Sequence, residues 1–226
     1  MNIQQAKQEI LNTLRAYLQK DTQGEYCFPM VRQRPLLLMG PPGVGKTAVV
    51  EQAARETGIP LVAYTMTHHT RQSAVGLPKI AERDYCGLHF SVTEYTMSEI
   101  IGAVYEAMDR TGKREGILFL DEINCVSETL APTMLQFLQN KTFGNHRLPE
   151  GWVIIAAGNP PEYNKSVRDF DIVTLDRIRN IPVEASVEAF LSYGTERKLH
   201  GAVLSYLALK PENFYHVSRD ENSLHY

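Results

Sequence analysis

Residues 40–47 read Gly40-Pro41-Pro42-Gly43-Val44-Gly45-Lys46-Thr47, and the apolar run Leu36-Leu37-Leu38-Met39 stands directly before them. A buried strand that enters a glycine-rich turn and then opens a helix leaves the backbone few alternatives. Glycine admits positive φ and removes the Cβ that would keep a ligand at a distance. Successive N–H groups can therefore turn inward on a polyphosphate, with the helix dipole adding positive potential. The expected cradle is Gly40, Pro41, Pro42, Gly43, Val44, Gly45, Lys46, Thr47 and Ala48. Lys46 would reach the β and γ phosphates, and Thr47 would place its hydroxyl on Mg²⁺.

The rest of the chain is compatible with one large α/β domain plus a small appendage. It has 226 residues, 43% of them hydrophobic, enough for a sizeable core. A formal net charge of -3 supplies no bulk positive field for nucleic acid. Cys27, Cys86 and Cys125 are odd in number and widely spaced, which fits reduced thiols and not a disulfide framework. The first twenty residues hold no continuous apolar stretch and no window approaches a membrane span, so a cytoplasmic protein is expected.

Strand and helix signals alternate along the chain. Ile3, Ile10, Leu11, Leu14, Tyr17 and Leu18 recur at helical spacing. A helix over 46–56 stops at Gly58, and Leu61-Val62-Ala63-Tyr64 reads as the next strand. Residues 67–93 read as loop-rich, with a hairpin near 86–92. Ser98 caps a helix that ends at Gly112, and Ile117-Leu118-Phe119-Leu120 follows as a strand. A helix over 128–139, a turn, and the strand Trp152 to Ala157 complete a pattern that predicts a parallel sheet covered on both faces. Beyond Pro182, segments 187–193 and 197–209 read as helices and 211–226 as an irregular polar tail. Phe28-Pro29-Met30-Val31 suits either a contact with a nucleotide base or plain core packing.

Three further groups of residues carry chemistry in this setting. Asp121-Glu122 ends the strand over 117–120, where ligands gather in open α/β sheets. Asp121 would hold Mg²⁺ and Glu122 would polarise an attacking water. Asn159, after the strand over 152–157, either senses the γ phosphate or simply forms an Asn-Pro turn. Arg177, with Arg179 and Arg168 as lesser candidates, either stabilises transition-state charge or makes a surface ion pair. His68, His69 and His89 lack partners at ligand spacing and read as ordinary histidines.

The set GPPGVGKT, ILFLDE, AAGNP and LDR resembles AAA+ ATPases, and within them the MoxR branch, over about Pro35 to Pro182. The resemblance implies a P-loop NTPase three-layer αβα sandwich with a five-stranded parallel sheet of order 5-1-4-3-2 and a partial helical lid. It also implies ATP bound with Mg²⁺ and hydrolysed, with Glu122, Asn159 and Arg177 catalytic and Thr47 and Asp121 on the metal. A homo-oligomer is implied as well, a ring of six in which Arg177 acts on the neighbour's nucleotide. The loop at Val75-Gly76-Leu77 and a hairpin over 141–147 would face the ring's centre. There the branch remodels or chaperones partner proteins, often ones bearing a von Willebrand factor A domain.

The expected domains are an N-terminal helix packed on the core over 1–27, the nucleotide-binding core over 28–183, the start of a lid over 184–210, and a tail over 211–226. The stretch after Pro182 is short for such a lid. Its only arginines, Arg197 and Arg219, lie outside any recognisable lid motif, so a truncated lid without a sensor 2 is expected. A nucleotide-binding scaffold or regulatory switch with little turnover remains the alternative. A GTPase is disfavoured by the lack of a guanine-reading Asn-Lys-x-Asp motif, and a small-molecule kinase by the water-activating Glu122.

Overall fold

A computed structural model describes residues 1–163 and 175–216. Its frame is a five-stranded parallel sheet built from β1 (Leu36–Met39), β2 (Leu61–Thr65), β5 (Gly116–Asp121), β8 (Trp152–Gly158) and β9 (Arg179–Pro182). The spatial order is β2-β5-β8-β1-β9. Counting these five in chain order gives 2-3-4-1-5, the expected 5-1-4-3-2 viewed from the other edge.

Both faces of the sheet are covered, which is why its central strands are apolar at nearly every position. Leu37, Leu118, Leu120 and Ile154 point into one core, closed by α4 (Glu99–Thr111) and α5 (Ala131–Asn140). Their neighbours Leu36, Leu38, Ile117, Phe119 and Ile155 point into the other, closed by α1 (Ile3–Leu18) and α2 (Lys46–Thr57). The helix ends follow local chemistry. Asn2 forms a capping box with Gln5 at the start of α1. Gly58 and Gly112 end α2 and α4 in the left-handed conformation that a side chain would disfavour.

The segment read as loop-rich is instead ordered. After α3 (Arg71–Val75), β3 (Pro78–Tyr85) and β4 (Leu88–Tyr95) pair antiparallel over their whole length. The hairpin is far longer than expected: Leu88, Phe90 and Val92 alternate with His89, Ser91 and Thr93 along β4, but β3 shows no matching period and every residue of the pair is exposed or half-buried. Its two-residue loop, Cys86-Gly87, has φ of 53° and 78°, the positive pair that favours hairpin turns.

Two helix boundaries also shift. The helix expected from residue 128 begins at Ala131, with Pro132 in its first turn. The one expected from residue 197 begins at Gly201, where the His200 ring accepts from the Ala202 N–H (3.3 Å). The two C-terminal helices are α6 (Val187–Glu196) and α7 (Gly201–Leu209), and they pack on each other. The hairpin over 141–147 is present as β6 (Thr142–Phe143) and β7 (His146–Arg147). No helix among the described residues is long and apolar enough to cross a membrane.

Candidate nucleotide site

The glycine-rich loop leaves β1 at the C-terminal edge of the sheet. The Gly40 N–H donates to the Gly158 carbonyl at 3.3 Å, and a Cβ on Gly40 would strike the Val183 carbonyl. Gly43 and Gly45 have φ of 77° and 96°, and Gly45 caps α2. A side chain at either position would be strained, so the loop needs glycine for its backbone conformation.

Lys46 opens α2 and is 8% exposed. Its ammonium donates to Gly40 O, Pro41 O and Asn159 Oδ1, each at 2.8 Å, which uses all three N–H groups. Burial pushes its pKa down to about 8, against the pull of the Asp121 carboxylate. Thr47 Oγ1 donates to Asp121 Oδ2 at 2.8 Å. Glu122 follows with φ of 55°, its N–H donating to Asp121 Oδ1 at 2.9 Å. A non-glycine residue held in this region stores local strain, as functional sites often do.

Sequence reasoning missed two side chains here. Thr67 Oγ1 donates to Glu122 Oε2 at 2.9 Å and so holds the proposed base. Asn124, 3% exposed, donates to the Asn159 carbonyl at 2.8 Å. A Cβ on Gly158 would lie 2.6 Å from Asn124 Oδ1, so the glycine makes room for this carboxamide. No motif marks Thr67. Asn124 could have been noticed as a polar residue amid the apolar Ile123 and Val126.

The three arginines fare differently. Arg179 pairs with Leu36, at the N-terminal end of β1, whereas the glycine-rich loop leaves its C-terminal end. The two sites are separated by the length of the strand, roughly 13 Å. Arg177, two residues earlier, is exposed and donates to Gln139 Oε1 at 2.6 Å, so the structure does not bring it to this chain's own cradle. The Arg179 guanidinium is taken up by Thr13 and Glu9 on α1. Arg168 lies outside the described residues.

A cavity of about 540 Å³ adjoins the loop, between Gly43, Val44, Gly45 and Ala48, Ile3 and Gln4 of α1, and Phe190 and Tyr193 of α6. Residues 28–31 are absent from its lining. Met30 is buried and Phe28 stacks on Tyr17 (centroids 5.1 Å apart), so these two pack, whereas Val31 is exposed.

A glycine-cornered loop around a buried ammonium fits a polyphosphate. A hydroxyl beside a carboxylate offers the hard oxygen donors that suit Mg²⁺, an ion that usually keeps several waters. The parallel sheet, its strand order and this loop define the class of P-loop nucleoside triphosphatases. Residues 36–177 match the model of the ATPase family associated with various cellular activities (AAA), and with more than half its length matched the chain belongs to that family. No curated protein matches the chain.

Proposed function

We propose that the chain binds ATP with Mg²⁺ and hydrolyses it to ADP and phosphate, as a MoxR-like AAA+ protein that remodels or chaperones a partner protein. The carrying observation is the convergence of Lys46, Thr47, Asp121, Glu122 and Asn159 from three separate strands at one sheet edge. The phosphates would take the loop N–H groups and draw Lys46 from its carbonyl partners. Thr47 and Asp121 would hold the metal, which when bound offsets phosphate charge. Asn159, already on Lys46, would follow the γ phosphate. Glu122 would accept a proton from the attacking water once Thr67 releases it.

The far-edge position of Arg177 supports action on a neighbour's nucleotide, in a homo-oligomeric ring that family resemblance makes hexameric. A partner bearing a von Willebrand factor A domain rests on resemblance alone. We read 28–183 as the core, with 1–27 packed on it, 184–210 as the beginning of a lid and 211–226 as a tail. Two exposed thiols, Cys27 and Cys86, fit a reducing compartment such as the cytoplasm.

Glu122→Gln should bind ATP as the wild type does and lose most phosphate release; equal turnover in both would sink the catalytic role of Glu122. The Thr67 hydrogen bond on Glu122 favours one second reading, a regulatory switch whose unaided turnover is low.

A further inference from the structure

The chain leaves α7 through a short turn at Pro211–Asn213 and doubles back onto the glycine-rich loop. Tyr215 Oη donates to the Pro42 carbonyl at 2.9 Å, linking residues 173 positions apart. Next to it the Phe214 ring stands 5.1 Å from Phe190, and Phe190, Phe214 and Tyr215 all line the cavity beside the loop.

The polarity of this contact decides what it can do. In a phosphate nest the N–H groups point inward, so a loop carbonyl is available to a partner on the other side. Tyr215 takes such a carbonyl and leaves the N–H groups free. Phosphate binding and the tyrosine contact are therefore compatible. Burial and the neighbouring Tyr163 hold the phenol above its ordinary pKa, so it is protonated at neutral pH as any phenol would be.

We infer that Phe214 and Tyr215 form a strap that walls the base side of the nucleotide cavity and slows nucleotide release by tying the end of the helical pair to the loop. This rests on the nucleotide-binding reading above. The aromatic wall acts on the base and ribose, whereas a bare polyphosphate needs only the loop. The strap thus sets a preference for a nucleoside triphosphate over inorganic tripolyphosphate.

The test compares the wild type, Tyr215→Phe and Phe214→Ala by calorimetric titration and by chase of a bound, labelled non-hydrolysable ATP analogue. Magnesium tripolyphosphate serves as the base-free probe. Tyr215→Phe removes only the hydroxyl and should speed analogue release about 3- to 10-fold. Phe214→Ala should weaken the analogue about tenfold. Tripolyphosphate affinity should stay within about twofold in both, a pattern that general loosening of the loop would not produce.

Wild-type release and affinity in both variants, or equal losses for analogue and tripolyphosphate, would overturn the strap while leaving nucleotide binding intact. Failure of the wild-type chain to bind the analogue would overturn the nucleotide reading and the strap together.

Discussion

Two buried lysines, Lys46 and Lys141, look alike by chemistry and differ in their surroundings. Each is less than a tenth exposed, each donates to two backbone carbonyls, and burial lowers each pKa to about 8. Lys46 sits in a glycine-rich loop, with Asn159 as a third partner and the Asp121 carboxylate pulling its pKa back up. Lys141 ends α5 in the left-handed conformation, with its ammonium on the carbonyls of Met30 and Gln33 and Arg147 pushing its pKa further down. Burial and a shifted pKa therefore do not by themselves mark a ligand site. A carboxylate, a side-chain amide and a glycine-cornered nest brought together at one sheet edge do.

Replacing each lysine should separate the two roles. Lys46→Ala should lower ATP affinity on the order of 100-fold or more, read by titration, because a charge-assisted phosphate contact is lost. Its urea midpoint should fall less than that of Lys141→Met, since of its three contacts only the one to Gly40 is fully buried and those to Pro41 and Asn159 are partly buried. Unchanged ATP affinity would make Lys46 a structural lysine like Lys141.

Lys141→Met should do the reverse and cost about 2 kcal/mol of stability, read from the urea midpoint, because two buried carbonyls lose their donor. ATP affinity of the folded fraction should remain within about twofold. A large loss of affinity at full stability would erase the distinction between the lysines.

The pH dependence sharpens the contrast. Without nucleotide Lys46 loses its proton near pH 8, whereas a bound polyphosphate favours the charged form. Below that pH the lysine is charged in both states and affinity is flat. Above it, binding requires proton uptake, so affinity should fall about tenfold between pH 7 and pH 9. Lys141→Met should leave this profile unchanged, and a flat profile in the wild type would remove Lys46 from the phosphate contact.

The smallest effect concerns the residue that holds Glu122. Thr67→Val keeps the shape and removes the hydrogen bond, so basal turnover should change about 2- to 5-fold with KM unaltered. Identical turnover would show that Thr67 does not restrain the carboxylate.

Most of the site was legible because its signals are local. Gly40 to Thr47 after an apolar strand, Asp121-Glu122 at a strand end and Asn159 before proline each state their conformation within a few residues. The partners that complete the site were not legible. Thr67 lies 55 positions from Glu122 and Tyr215 lies 173 from Pro42, and no periodicity relates them. The β3–β4 hairpin was legible only around its turn and along β4, because β3 carries no matching apolar alternation and no residue of the pair is buried.

The sequence by itself determined four of the five sheet strands and the longer helices between them, the glycines that need positive φ, and the residue types available for phosphate and metal; β9 and α3 carried no signal of their own. Only the tertiary structure decided that Lys46 meets Asn159, that Glu122 is held by Thr67, that Arg177 stands at the far end of the sheet, and that Phe214 and Tyr215 return to the loop. The reason lies in the reach of each interaction. Capping, turn chemistry and face periodicity act over a few residues, whereas parallel pairing and the packing of two cores join segments that no local pattern connects.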